Sequence, residues 1–161
     1  MEYKMIVLDI DGTLTNSKKE MTDRTRETLL TAERQGLRVV LASGRPTYGI
    51  TALADELRLK DYGGYILAFN GGRITDCATG RVVFDQPLDP SVVEPLYRKV
   101  KAAGMEMLTY QDEKIAATKR ANKYVLHEAF INKMPVVEFS DFVHEVRYPI
   151  NKCLVVGDPS P

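Results

Sequence analysis

Neither sign of charge prevails in this chain of 161 residues: 22 Lys and Arg stand against 22 Asp and Glu. A balanced chain has no broad field to draw it to nucleic acid or to an anionic membrane, so a small molecule is the expected partner. Cysteine is scarce as well. Cys77 and Cys153 are the only 2; they lie far apart and match no metal-ligand spacing, which excludes a disulfide framework and points to a reducing compartment. Long apolar runs are missing too. The stretch that follows Met1-Glu2-Tyr3-Lys4 is far too short for a signal peptide or a membrane span, which makes the cytoplasm the expected location. No internal repeat, low-complexity tract or coiled coil is visible. His127 and His144 have no partner at metal-binding spacing and read as surface or packing residues.

What the chain does have is the pentapeptide Asp9-Ile10-Asp11-Gly12-Thr13, directly after the apolar run Met5-Ile6-Val7-Leu8. A short β-rich run ending in two carboxylates is a strand that delivers both acids to its C-terminal tip, where chemistry collects in open α/β sheets. Carboxylates this close repel one another unless something cationic joins them. A hard divalent ion such as Mg2+ meets that need. Gly12 lets the backbone approach a bound group, Thr13 offers a hydroxyl and an amide to hold the turn, and a phosphate fits such a place. A calcium loop of the EF-hand type is excluded, because Gly12 falls in the fourth loop position where that motif needs it in the sixth.

The rest of the first half repeats the pattern of apolar strand and polar tip. Residues 4–9 form the first strand, and Ile10 to Met21 read as an exposed loop over its end. Thr22 caps a helix to about Gln35 that presents Thr25, Leu29 and Ala32 on one face and stops at Gly36. Leu37 to Ala42 is a second buried strand, followed by the turn Ser43-Gly44-Arg45-Pro46 and a helix with Ile50, Leu53 and Leu57 inward. Tyr65 to Phe69 is a third strand, ending in Asn70-Gly71-Gly72. Taken alone, Ser43-Gly44-Arg45 is as readily a helix-capping turn as a phosphate site, and Asn70-Gly71-Gly72 as readily a tight turn as a substrate loop. Strands apolar on both faces and separated by helices predict a parallel sheet covered on both sides.

Arg73 to Thr75 and Arg81 to Phe84 then form a hairpin expected to lead out of that sheet. From about Pro87 the pattern changes. A helix runs from Pro90 to Ala103, strands cover Met105 to Tyr110 and Lys114 to Thr118, and a helix spans about Asn122 to Ile131. A less regular segment runs through Pro149 before a strand at Lys152 to Val156. The predicted organisation is one unit over 1–86 and a separate α+β unit over 87–161.

With these elements placed, the chain resembles the haloacid dehalogenase superfamily of phosphatases, specifically the Cof-type branch that carries an α/β cap inserted after the third core strand. The resemblance rests on Asp9-x-Asp11-Gly12-Thr13-Leu14, Leu41-Ala42-Ser43-Gly44-Arg45 and Phe69-Asn70-Gly71-Gly72, and covers essentially the whole chain. It implies an α/β fold: a Rossmann-like parallel-sheet core, incomplete with its first three strands, and an inserted α+β cap that closes over the site and chooses the substrate. It further implies that Asp9 is the nucleophile, forming an aspartyl-phosphate, and that Asp11 is the general acid and base. Mg2+ is expected on the Asp9 carboxylate and the Asp11 carbonyl. Ser43, with the amide of Gly44, is expected to hold the phosphoryl group, Arg45 to add charge, and Asn70 and Gly71 to approach substrate.

Two family features are missing from these residues: a later Lys that neutralises the phosphate, and a later Gly-Asp-Gly-x-x-Asp metal loop. Gly157-Asp158 reads instead as a turn after a strand of the second unit. Met5 to Leu8, apolar on both faces, finds a neighbour on one side only, so an exposed hydrophobic edge and a longer protein are expected. The function implied is hydrolysis of small phosphorylated metabolites, such as sugar phosphates or phosphorylated cofactors. A phosphotransferase or mutase and a catalytically incomplete binding module are the alternatives.

Overall fold

Three apolar runs become three parallel strands, β1 (Met5–Asp9), β2 (Arg38–Ala42) and β3 (Tyr65–Ala68). In this computed structural model, which describes residues 3–158, Ile6 lies beside Val39, Leu8 beside Leu41, and Leu41 beside Ile66. That register gathers Ile6, Leu8, Val39, Leu41, Ile66 and Ala68 on one face. Helix α1 (Asp23–Arg34) contributes Leu29 to the same core, helix α2 (Tyr48–Glu56) contributes Ile50, Leu53 and Ala54, and the short α3 (Leu59–Tyr62) contributes Leu59. Each such aliphatic side chain taken out of water contributes roughly 1.5–3 kcal/mol before conformational entropy is set against it.

Helix α1 begins and ends where its residues dictate. The Thr22 hydroxyl accepts from the Thr25 amide at 3.2 Å, and the chain turns at Gly36 with φ +92° while the Leu37 amide returns to the Ala32 carbonyl at 3.1 Å. Its buried residues are Leu29, Leu30 and Glu33, so the inward stripe includes a carboxylate that apolar periodicity alone does not predict.

The hairpin does not leave the sheet. Strand β4 (Arg73–Asp76) pairs antiparallel with β3, and β5 (Val82–Asp85) pairs with β4, giving one mixed sheet in the order β1-β2-β3-β4-β5. The reason is local: Phe69, Asn70 and Gly71 take φ of +55°, +57° and +88°, a run of left-handed residues that reverses the chain within one short turn and lays Arg73 beside Ala68. Strand β1 stands at the other edge with Met5 and Val7 48% and 54% exposed, the apolar edge that its two-faced composition predicts.

The chain divides after Asp85 into two compact units. The second holds α4 (Val93–Ala102), β6 (Glu106–Gln111), β7 (Lys114–Ala117), α5 (Lys123–Asn132), β8 (Val136–Glu138), α6 (Phe142–Glu145) and β9 (Leu154–Val156). Its sheet runs β8-β7-β6-β9. The segment expected to be irregular contains β8, parallel to β7, and α6, whose first turn is capped by Asp141. Elements of 3 and 4 residues are too short to display a period. Its core packs Val93, Val100, Met107, Phe139 and Phe142, with Tyr97 stacked on Phe142 at 5.1 Å. Asp158 is held by Lys123 at 3.0 Å and by the Tyr124 hydroxyl, as a residue just after the last strand of this unit.

Candidate active site

Asp9 is the last residue of β1 and lies beside Ala42, the last of β2. Beyond it the chain folds tightly on the Ile10 carbonyl, which accepts from the amides of Thr13, Leu14 and Thr15 at 3.3, 3.1 and 2.9 Å and from the Thr15 hydroxyl at 2.9 Å. Gly12, at φ +86°, supplies the left-handed residue this turn requires. Ile10, Leu14, Thr15 and Met21 are buried, so the stretch after β1 is an anchored loop where sequence alone suggests an exposed one. Its polar residues, Asp11, Gly12 and Thr13, remain exposed, and the Thr13 hydroxyl donates to Asp9 Oδ2 at 3.2 Å.

Asp11 sits among cations. Arg45 Nε donates to its Oδ2 at 2.9 Å and Arg45 Nη2 to its Oδ1 at 2.6 Å, a two-point grip. Lys19 Nζ donates to the same Oδ1 at 2.8 Å. The Arg45 hydrogen bonds first, and then that of Lys19 and the two charges, hold the Asp11 carboxyl down at about 2 against the opposing effect of partial burial. Asp11 is therefore ionised at neutral pH.

The other two strand tips are stitched together by backbone. The Ser43 amide donates to the Leu67 carbonyl at 2.9 Å, the Asn70 amide to the Ser43 carbonyl at 3.1 Å, and the Phe69 amide to the Arg45 carbonyl at 3.0 Å. Ser43, Arg45, Asn70 and Gly71 are thus brought together, and Arg45 joins them to Asp11. Ser43 is buried, and its Oγ accepts from the Arg45 amide at 3.2 Å, which leaves its O–H as a donor. Arg45 Nη1 donates to the Gly49 carbonyl at 3.2 Å, fixing the guanidinium against the start of α2. That helix begins at Tyr48 with no side-chain cap at Thr47, later than the turn at Pro46 suggests.

Sequence reasoning missed Lys19, because a lysine in a polar loop has no spacing that sets it apart. The signal available was Asn16: its Oδ1 accepts from the Lys18 and Glu20 amides at 2.8 and 3.2 Å, a local turn of the kind asparagine favours. On the second unit, Lys119 and Lys123 pair with Glu106 and Asp158.

Among the described residues, no group of three His, Cys, Asp or Glu side chains is gathered to hold a metal. The donors that are present, the Asp9 carboxylate and the Asp11 carbonyl, are hard oxygens of the kind Mg2+ takes when waters and substrate phosphate complete its shell. By donor chemistry the residues fit that ion.

A sequence model of the haloacid dehalogenase-like hydrolases matches residues 6–160. A protein of Streptococcus pyogenes serotype M6, provisionally named a phosphatase, is 34% identical over 140 residues, covering 84% of this chain and 51% of its own. The Bacillus subtilis protein YwtE, named a 5-amino-6-(5-phospho-D-ribitylamino)uracil phosphatase, is 32% identical over 99 residues, 60% of this chain and 33% of its own. The crystal structure of a haloacid dehalogenase-like hydrolase from Bacteroides thetaiotaomicron superposes with a TM-score of 0.92 at 48% identity, covering 98% of this chain and 59% of that one. The chain thus spans about half the length, or less, of these curated relatives.

Proposed function

The chain belongs to the haloacid dehalogenase-like hydrolases, and from that premise we propose that it carries the nucleophile-bearing part of a Mg2+-dependent phosphatase for small phosphorylated metabolites, such as sugar phosphates or phosphorylated cofactors. The observation that carries this reading is the pair of acids at the β1 tip. Asp9 is exposed beside the Thr13 hydroxyl, and Asp11 is gripped by Arg45 in the adjoining loop.

In this reading Asp9 attacks phosphorus, the ester oxygen departs, and water later releases phosphate from the aspartyl-phosphate. Asp11 receives the proton of that water and returns one to the departing oxygen of the next substrate. Ser43, with its O–H left to donate, and the Gly44 amide hold the phosphoryl oxygens, and the left-handed turn at Asn70 and Gly71 lines the approach. Mg2+ held by the Asp9 carboxylate and the Asp11 carbonyl would supply charge to offset the transferring phosphoryl group. The second unit is assigned as the cap that selects among substrates. That a relative is named for a phosphorylated ribitylamino-uracil supports the metabolite class. Cys77 and Cys153 remain free thiols, which fits the cytoplasmic compartment assigned to the enzyme.

The test is turnover of p-nitrophenyl phosphate with Mg2+ by the full-length protein, beside Asp9→Asn. The variant is expected to lose at least about 1000-fold in kcat, the scale for removal of a nucleophile, and to show no phosphorylated Asp9 by mass spectrometry. Undiminished turnover would remove Asp9 from that role.

A further inference from the structure

Building on that reading of Asp11, we infer that Lys19 is a positioning residue, which fixes the Asp11 carboxylate together with the Arg45 grip. Arg45 alone defines the plane of the carboxylate, through Nε on Oδ2 and Nη2 on Oδ1. Lys19 Nζ, at 2.8 Å from Oδ1, is a third charged donor and gives that oxygen a second partner.

The two cations are built differently. The Arg45 side chain is 10% exposed and tied to the Gly49 carbonyl, whereas that of Lys19 is 41% exposed. Lys19 owes its place to its loop. The Asn16 amide donates to the Glu20 carbonyl at 2.9 Å, the Lys19 amide to the Asn16 carbonyl at 2.9 Å, and the Asn16 side chain receives two further amides. This closed turn holds Lys19 at φ +63°, a conformation that costs a non-glycine residue and is sustained by the bonds around it. Four backbone-directed hydrogen bonds thus serve to aim one ammonium group at one carboxylate. A proton-transferring carboxylate displaced by even a fraction of a bond length loses rate without losing substrate affinity, so Lys19 acts on kcat and not on KM.

The contact is tested in the chain itself by nitrogen-detected NMR of the lysine ammonium groups. Lys19 is expected to exchange its ammonium protons at least about tenfold more slowly than neighbouring Lys18, the protection set by one charge-assisted hydrogen bond, and Asp11→Asn is expected to abolish the difference. Equal rates in the unsubstituted chain would overturn the proposal. The consequence is tested in the full-length protein with Mg2+ and p-nitrophenyl phosphate. Lys19→Met is expected to lower kcat about tenfold at constant KM, Lys19→Arg to recover most of it, and Asn16→Ala to reproduce the loss by loosening the turn. A raised KM at constant kcat would make Lys19 a phosphate contact instead and defeat the inference, as would an unchanged kcat. Absence of turnover in the unsubstituted full-length protein would overturn the phosphatase reading, while the ammonium measurement still decides the contact.

Discussion

Replacing Glu33 with leucine should make the stability of the first unit insensitive to pH where the natural chain loses stability as pH rises. Glu33 lies on the inward side of α1 beside Leu29 and Leu30, is 4% exposed, and has both carboxylate oxygens buried without a hydrogen-bond partner among the described residues. Burial pushes its carboxyl up from 4.5 to about 7, because an ion removed from water with nothing to replace its hydration is disfavoured. A pKa raised on folding means that the folded chain holds the proton more tightly than the unfolded one. The associated stability is fully present below about 4.5, declines as pH rises from there, and is gone above about 7. A carboxyl raised from 4.5 to about 7 corresponds to about 3 kcal/mol. That is a large part of the stability of a small unit. Hydrogen exchange at the Val39, Val40 and Leu41 amides of β2, corrected for intrinsic rates, reports opening of this unit alone. Between pH 5 and pH 8 the natural chain should lose about 2–3 kcal/mol relative to Glu33→Leu. Leucine also changes the packing, but that offset is the same at both pH values, so only the pH-dependent part is read. Parallel curves for the two chains would refute the reasoning and mean that the carboxylate is solvated or paired in solution.

Gly64→Ala should destabilise the first unit by at least about 2 kcal/mol by thermal or urea unfolding, because a Cβ there would lie 2.6 Å from the Val39 carbonyl oxygen and 3.0 Å from Leu59. A neutral result would mean that β2 and α3 can part at that point. Arg45→Met should lower the stability of the first unit above pH 3.8 and reduce the part of that stability lost as pH falls towards 2. The Asp11 carboxyl, now lowered from 3.8 to about 2 chiefly by Arg45, contributes stability above 3.8 that is lost only as pH falls towards 2, and without Arg45 that contribution shrinks. An acid-unfolding curve that coincides with that of the natural chain would reject the grip as a stabilising contact.

The parts of this fold that the sequence makes legible are those where one residue type answers one local need. Thr22 and Gly36 bound α1 because an orphan amide needs an acceptor and a left-handed residue ends the helix. The three strands announce themselves by β-branched runs, and the acids at Asp9 and Asp11 by their placement at a strand tip. What is not legible depends on partners distant in sequence. Nothing near Arg45 points to Asp11, 34 residues away, and nothing in Phe69-Asn70-Gly71 distinguishes a turn that ends a sheet from one that extends it. That outcome follows from three successive left-handed residues, two of them not glycine, whose Phe69 and Asn70 amides donate to the Arg45 and Ser43 carbonyls. Ile10 and Leu14 are misread for a similar reason, since isolated apolar residues in a polar loop look exposed until the loop is found to close over the core.

The crowding of Asp9 and Asp11 at the strand tip first suggests that one cation must serve both, and the geometry divides that demand. Asp11 has its charge met by Arg45 and Lys19, so its carboxylate does not call for a metal. The Asp9 carboxylate, by contrast, accepts from the neutral Thr13 hydroxyl at 3.2 Å, and no Arg or Lys ion pair to it is found among the described residues. A neutral hydroxyl does not offset a full negative charge at a site proposed to receive a phosphate that is itself anionic. The unmet electrostatic requirement therefore sits at Asp9. A divalent ion there would make approach of a phosphate to a carboxylate tolerable, while the protein cations serve the carboxylate to which the proposed function gives the proton transfer. On this division, removing Mg2+ from the full-length enzyme should abolish phosphate-ester turnover and leave the slow Lys19 ammonium exchange in place. Loss of both together would mean that the ion, and not the protein, organises Asp11.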